Sequence, residues 1–319
     1  MTDSCDVLCA GIVVADHICT PISHLPAAGE LVLADRLLLT IGGCAANVAV
    51  DLVKMGVRAT VVGRIGDDVF GRVVGEMLRG QGVDVSGLKT SPGIDTSQTL
   101  IVNVAGQDRR FIHTFGTNGL FSAADIPHDL AGRCRVLYLG GYLLMAGLKP
   151  RELAHVFATA RGAGVRTVLD VVTPGPADYL AQLRDVLPQV DVFLPNNHEA
   201  ELITGEKDPL RQAELFHELG VKTSIITLGG DGAVVVGDGV RLRAGAFAVP
   251  FVDGSGGGDA FAAGYIAGLL GDEDVEGCLR LASALGASCV QAVGTTTGVF
   301  TRPQCDEFLR THSLRIERI

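Results

Sequence analysis

Residues 253–259 read DGSGGGD and run directly into AFAAGYIAGLLG (260–271). Three consecutive glycines, Gly256, Gly257 and Gly258, leave the backbone free to approach a ligand and to turn its N–H groups into one concavity. The apolar run behind them has helical length and no interior proline. Its first turn, with unpaired N–H groups and a partial positive charge, therefore adjoins the glycines. Together they form an anion site suited to a phosphoryl group. Asp259 stands at its mouth. A carboxylate repels phosphate, so its use there is to orient or deprotonate a hydroxyl that attacks phosphorus. The segment also reads as a plain glycine-rich turn with Asp259 as a helix cap. The rest of the chain decides between the two.

Upstream, short apolar runs alternate with helical stretches. Strands are predicted over 6–14, 59–66, 135–142, 166–172, 191–196 and 223–229, each nearly continuously apolar as in a parallel sheet buried on both faces. Between them lie helix patterns over 45–56, 70–82, 150–164, 199–204 and 212–220, most of them ending in glycine. Repeating strand–helix units predict a doubly wound α/β layer structure. Two segments, 17–41 and 97–116, break the rhythm with alternating strand-like residues and no helix. The second contains a Gly106-Gln107-Asp108 hairpin turn. They are expected to form a small accessory sheet, a lid over one end of the main sheet.

The chain has 319 residues, 47% of them hydrophobic, and a net charge of −10. It can bury a large core. The acidic balance argues against nucleic acid, which needs a basic face. No apolar stretch approaches a membrane span. The opening MTDSCDVLCAG lacks a basic n-region, so a secretory leader is not expected. Eight cysteines show no CxxC pair and no zinc spacing, which fits reduced thiols in the cytoplasm. No G-x-x-x-x-G-K-[ST] is present, and the first strand lacks G-x-G-x-x-G, so neither a P-loop enzyme nor a nicotinamide dehydrogenase is supported.

Two motifs carry a family resemblance. IGGCAANVAV (41–50), followed by LVKMG and ATVVGRIGDDVFG, precedes DGSGGGDAFAAGYIAGL by about two hundred residues. This ordered pair resembles the ribokinase-like carbohydrate kinases, the PfkB family, along essentially the whole chain. The resemblance implies a single 1–319 kinase domain: a three-layer α/β/α sandwich with a mostly parallel sheet and a small β-sheet lid. It implies transfer of the ATP γ-phosphoryl group to a hydroxyl of a monosaccharide or sugar acid, with Mg2+. Asp259 matches the family's catalytic base, and the amides of Gly256, Gly257 and Gly258 its anion hole. The motif departs twice from D-T-x-G-x-G-D with its usual alanine: Gly254 stands for Thr and Gly257 for Ala. In many members the residue at Asp253 helps hold a monovalent cation, commonly K+.

The resemblance extends to NNHE (196–199), an N-x-x-E match in which Asn196 serves the nucleotide and Glu199 serves Mg2+, through water where need be. Glu199 reads equally as an acid opening a helix. TLGGDG (227–232) resembles the T-x-G-x-x-G nucleotide loop, with Thr227, Gly229 and Gly232; it is also a good hairpin turn. Ser283 stands where many members have Asn near the adenine. At the substrate end, Asp16 follows the first strand and suits a vicinal diol. Gly42, Gly43 and Asn47 are expected opposite it. Arg110, on the strand 108–113, is assigned to the substrate. Arg110 and Ile112 face one way along that strand and Arg109, Phe111 and His113 the other, and the sequence leaves open which side faces inward. An inward arginine points to a substrate bearing carboxylate or phosphate. The resemblance implies a homodimer through the lid sheet, as relatives often pair there, and the apolar LVLADRLLLTI (31–41) fits it. A nucleoside kinase of the same superfamily and a silent sugar- or nucleotide-binding regulator are the alternative readings.

Overall fold

The computed structural model describes residues 5–107, 109–128, 134–237 and 239–319. In chain order the strands are β1 (Val7–Gly11), β2 (Val14–Ile22), β3 (Leu37–Gly42), β4 (Ala59–Gly66), β5 (Asp84–Ser91), β6 (Gln98–Val104), β7 (Arg110–Thr114), β8 (Val136–Gly140), β9 (Arg166–Leu169), β10 (Val192–Phe193), β11 (Thr223–Thr227), β12 (Ala233–Gly237), β13 (Val240–Ala244) and β14 (Ile316–Arg318). The α-helices among the described residues are α1 (Cys44–Lys54), α2 (Val69–Gly80), α3 (Pro150–Gly162), α4 (Tyr179–Leu183), α5 (Asn197–Thr204), α6 (Pro209–Glu218), α7 (Gly257–Leu270), α8 (Val275–Cys289) and α9 (Arg302–Thr311).

The main sheet runs β14-β13-β12-β11-β10-β9-β8-β1-β4-β5. It is parallel from β5 to β11 and antiparallel from β11 to its β14 edge. The central strands β1 and β8 are buried along their whole length, because VLCAG and VLYLG meet helices on both faces. The chain builds outward from β1 through β4 and β5, then starts again at β8 and builds the other way. The order therefore reverses between β1 and β8, where a crevice opens beyond the carboxyl ends of the strands.

The expected strand 6–14 is two strands. Gly11 has φ 133°, and a Cβ there would lie 2.1 Å from the Gly140 carbonyl. The chain breaks at this point, leaves the main sheet and enters a second one, ordered β3-β2-β6-β7. The segments 17–41 and 97–116 supply most of that small sheet. β6 and β7 pair antiparallel across the turn that begins at Gly106 and Gln107; Asp108 lies outside the described residues. Two rows of side chains cross its inner face, Asp16–Thr99–His113 and Ile18–Ile101–Phe111.

The polar edge strand β5, the β12–β13 hairpin and the edge strand β14 are not among the strands predicted above. In β5 the buried and exposed positions mix rather than forming an apolar run.

Candidate active site

The crevice at the β1/β8 switch is a cavity of about 790 Å³. Its floor comes from the carboxyl ends of strands (Ile12, Asp170, Leu194, Thr227). One wall is the glycine loop with α7, and its roof is the inner face of the small sheet (Asp16, Thr99, Ile101, Phe111, His113).

Asp259 lies in the first turn of α7, half-buried, and Gly256 is that helix's N-cap. Gly256 holds φ 77°, and a Cβ there would come 2.0 Å from the Thr295 carbonyl, so the turn that aims the amides inward admits only glycine. Gly256 and Gly258 line the cavity. Gly257 faces Val290 instead. Asn47 Nδ2 donates to Asp259 Oδ2 at 2.8 Å. Burial raises the Asp259 carboxyl above the usual carboxylate range, and hydrogen bonds from Asn47 and the Cys44 thiol pull it back.

Asp16 is 6% exposed, and burial lifts its carboxyl to about 7, opposed by a hydrogen bond from Thr99 and assisted by the charge of Asp259. Gly42 backs onto it, since a Cβ at Gly42 would lie 2.0 Å from Asp16 Oδ2. Gly43 and Asn47 line the same space.

Asn196 and Glu199 form a capping box. Asn196 Oδ1 accepts the Glu199 N–H at 2.9 Å, and Glu199 Oε2 accepts the Asn196 N–H at 2.9 Å. The helix-opening reading of Glu199 is therefore correct for one of its oxygens, while the residue also lines the cavity. Burial raises Glu199 to about 7, with Asp259 adding to the rise. Thr227 lines the cavity at the end of β11. Gly229 and Gly232 lie outside it, in the turn of the β11–β12 hairpin, and Ser283 is buried in α8, also outside it.

Arg110 requires a correction. Its neighbours across the strands are Val102 and, beyond it, Cys19 and Leu37, and its Nη2 donates to Gln107 Oε1. It is exposed on the outer face of the small sheet. The side chains that face inward are Arg109, Phe111 and His113. Strand alternation permits only one set, and the register of β7 on β6 selects this one. The Arg109 guanidinium lies against Gly254, with Nη1 3.7 Å from Asp253 Oδ1.

Two residues missing from the expected set belong to the site. Asp170 follows β9. Its Oδ2 accepts the Tyr138 hydroxyl at 3.0 Å and its Oδ1 accepts the Val171 N–H at 2.8 Å. Burial, then the charges of Glu199 and Asp259, hold it well above the usual carboxylate range. Its signal was an aspartate closing the apolar RTVLD run, at the carboxyl edge where α/β sheets bind ligands. Cys44, at the start of α1, is the other. Its sulfur and one oxygen each of Asp170 and Asp259 lie within 4.8 Å of one another. Burial pushes the thiol up, so it sits beside the carboxylates as a neutral donor.

The pfkB family carbohydrate kinase model matches residues 5–302. The ribokinase of Haemophilus influenzae is 26% identical over 308 residues, covering 94% of this chain and 96% of that one. The 2-dehydro-3-deoxygluconokinase of Thermoproteus tenax is 30% identical over 280 residues, 85% of each chain. An Arabidopsis thaliana ribokinase solved with ribose and ATP superposes with a TM-score of 0.81 at 23% identity, covering 97% of this chain and 99% of that one. The chain belongs to the pfkB family of carbohydrate kinases and has the ribokinase-like fold. The activity that membership carries is ATP-dependent phosphoryl transfer to a carbohydrate hydroxyl.

Proposed function

We propose that the protein phosphorylates a hydroxyl of a monosaccharide or sugar acid, with Asp259 as base. The observation that carries this reading is the placement of Asp259 between the helix-borne amides of the glycine loop and a cavity whose roof presents Asp16. Asp16 accepts hydrogen bonds from neighbouring hydroxyls. Asp259 takes the proton of the attacking hydroxyl. The amides of the glycine loop receive the charge of the phosphoryl group as it moves. The small sheet covers the cavity and keeps water from competing as acceptor.

The site suits Mg2+. Asp170, Glu199 and Asp259 face one space; the charge of Asp259 raises both of the others and that of Glu199 raises Asp170, a repulsion that a divalent cation relieves. Glu199 and Asp170 are the residues that would hold it, directly or through water. Bound there with ATP, it would neutralise phosphate charge. Among the described residues no helix is long and apolar enough to cross a membrane. All eight cysteines are free and buried, which favours a reducing compartment, the cytoplasm.

A homodimer through the small sheet is supported by its outer face. Leu39, Leu100 and Ile112 lie in one row with His17, and Leu37 is 77% exposed in the next. The test of function is ADP release across a panel of sugars, sugar acids and nucleosides, with Asp259→Asn as control. Turnover with a sugar or sugar acid, lost in the variant, supports the reading. Turnover confined to nucleosides, or retained by the variant, overturns it.

A further inference from the structure

The loop that carries Asp259 already has its counter-charge. Asp253 is buried, its Oδ1 accepts the Ser255 N–H at 2.9 Å, and its Oδ2 accepts the Gly294 N–H at 3.1 Å. Nη1 of Arg109 stands 3.7 Å from Oδ1. The guanidinium rests on the bare face of Gly254. A Cβ there would lie 2.3 Å from Nη1, 3.3 Å from Cζ and 3.5 Å from Nη2. Phe111 holds it from the other direction, with Cζ 5.5 Å from the ring centroid. Behind the loop, the Cys289 thiol lies 3.3 Å from the carbonyls of both Ser255 and Thr295 and shares its one proton between them, and the Thr296 carbonyl accepts the Lys54 ammonium.

A monovalent cation seated at Asp253 would draw on this carboxylate and these carbonyls. The carboxylate already holds two amide donors and the Arg109 guanidinium, and the Lys54 ammonium occupies the Thr296 carbonyl, so the charge such an ion would bring is already present. The residues present therefore do not fit K+ at Asp253.

We propose that Arg109 is the resident cation of this loop. It is a positioning residue: it neutralises Asp253, fixes Gly254, and through them sets the amides of Gly256 and Gly258 beside Asp259. The departure at position 254 is its complement, because a threonine there would take the guanidinium's place. Arg109 precedes β7, so the loop is set only while the small sheet lies over the cavity, and roof closure is coupled to assembly of the anion site.

The inference rests on the kinase reading for its kinetic arm alone. Wild type, Arg109→Gln and Gly254→Thr would be compared in potassium chloride and choline chloride at one ionic strength, by steady-state kinetics and by thermal melting. Wild type should show the same kcat and the same Tm in both salts. Arg109→Gln should lose about tenfold or more in kcat, short of the roughly 10²–10³-fold cost of removing an anion-hole donor outright, and recover part of it with millimolar guanidinium. Gly254→Thr should lose activity without recovering it, because the threonine fills the space. A wild-type kcat or Tm that rises with K+ overturns the proposal. So does an Arg109→Gln variant that keeps full activity, or that loses it without rescue by guanidinium. The melting comparison needs no substrate, so a chain that phosphorylates nothing in the panel sinks the kinase reading and still leaves cation independence decided.

Discussion

Asn47 on α1 and Asp259 on α7 are 212 residues apart in sequence and joined by one hydrogen bond, Nδ2 to Oδ2 at 2.8 Å. The bond links the two motifs that carry the family resemblance. It favours the ionised carboxylate, so it works against the burial that raises Asp259. Removing the donor leaves only the Cys44 thiol to oppose burial. Asn47→Ala should therefore move the acidic limb of the kcat/KM profile to higher pH, because a larger share of Asp259 stays protonated. Asp259→Asn should abolish the limb and cost about 10³-fold or more in kcat, with ATP binding retained. An Asn47→Ala profile superposable on wild type would detach this bond from the base.

Asp16 and Glu199 both sit at about 7 in the folded chain, well above their ordinary values. A raised carboxyl means that the folded state holds more protons than the unfolded one between roughly pH 4 and 7. The stability these groups contribute is complete at the acidic end of that window and is lost as pH rises through 7. Each tenfold change in acidity is worth about 1.4 kcal/mol. Asp16→Asn, an uncharged isostere, should therefore melt above wild type at pH 8 by a few degrees and converge with it only near pH 4. Equal Tm values at both pH values would mean that Asp16 is not held protonated by its surroundings.

The glycine loop was legible from sequence because its chemistry is local. A run of glycines ahead of an apolar helix forces the amides and the acid together wherever the rest of the chain goes. The inner face of β7 was not legible in the same way. Alternation has period two, so a one-residue change in the Gly106–Gln107 turn swaps Arg110 for Arg109. Only the pairing of Leu100 with Ile112 and of Thr99 with His113 decides it. Asp170 and Cys44 escaped for a third reason. Each is one residue whose role exists only because β9, α1 and α7 converge on the same space. The surroundings of Asp253, Arg109 and the Gly294 amide, likewise come from distant parts of the chain and are not readable from its position in the motif.

Gly42 lies directly behind the Asp16 carboxylate. The smallest side chain there would overlap Oδ2 and Oδ1, at 2.0 and 2.5 Å. Asp16 is the side chain assigned to the sugar, so Gly42→Ala should raise KM for the sugar at least tenfold while leaving KM for ATP near wild type. Equal changes in both constants would indicate a general disturbance of the cavity rather than a displaced Asp16.

Gly256 and Gly258 stand two residues apart with opposite structural demands. Gly256 holds φ 77° and has no room for a Cβ beside the Thr295 carbonyl. At Gly258 nothing lies within 4 Å of where a Cβ would stand, and its φ is not positive. Gly256→Ala should therefore lose both stability, by about 1–2 kcal/mol from the left-handed backbone alone, and activity, because the helix start that aims the amides must shift. Gly258→Ala should melt like wild type. Gly258 lines the cavity, so a methyl group there should still lower kcat, by about 10-fold or more if the amides there stabilise the moving phosphoryl group. Measuring Tm and kcat for both variants separates the loop's folding requirement from its catalytic one. A Gly258→Ala enzyme with wild-type kcat would remove that position from the anion site, and the charge of the transition state would then have to be met elsewhere in the loop.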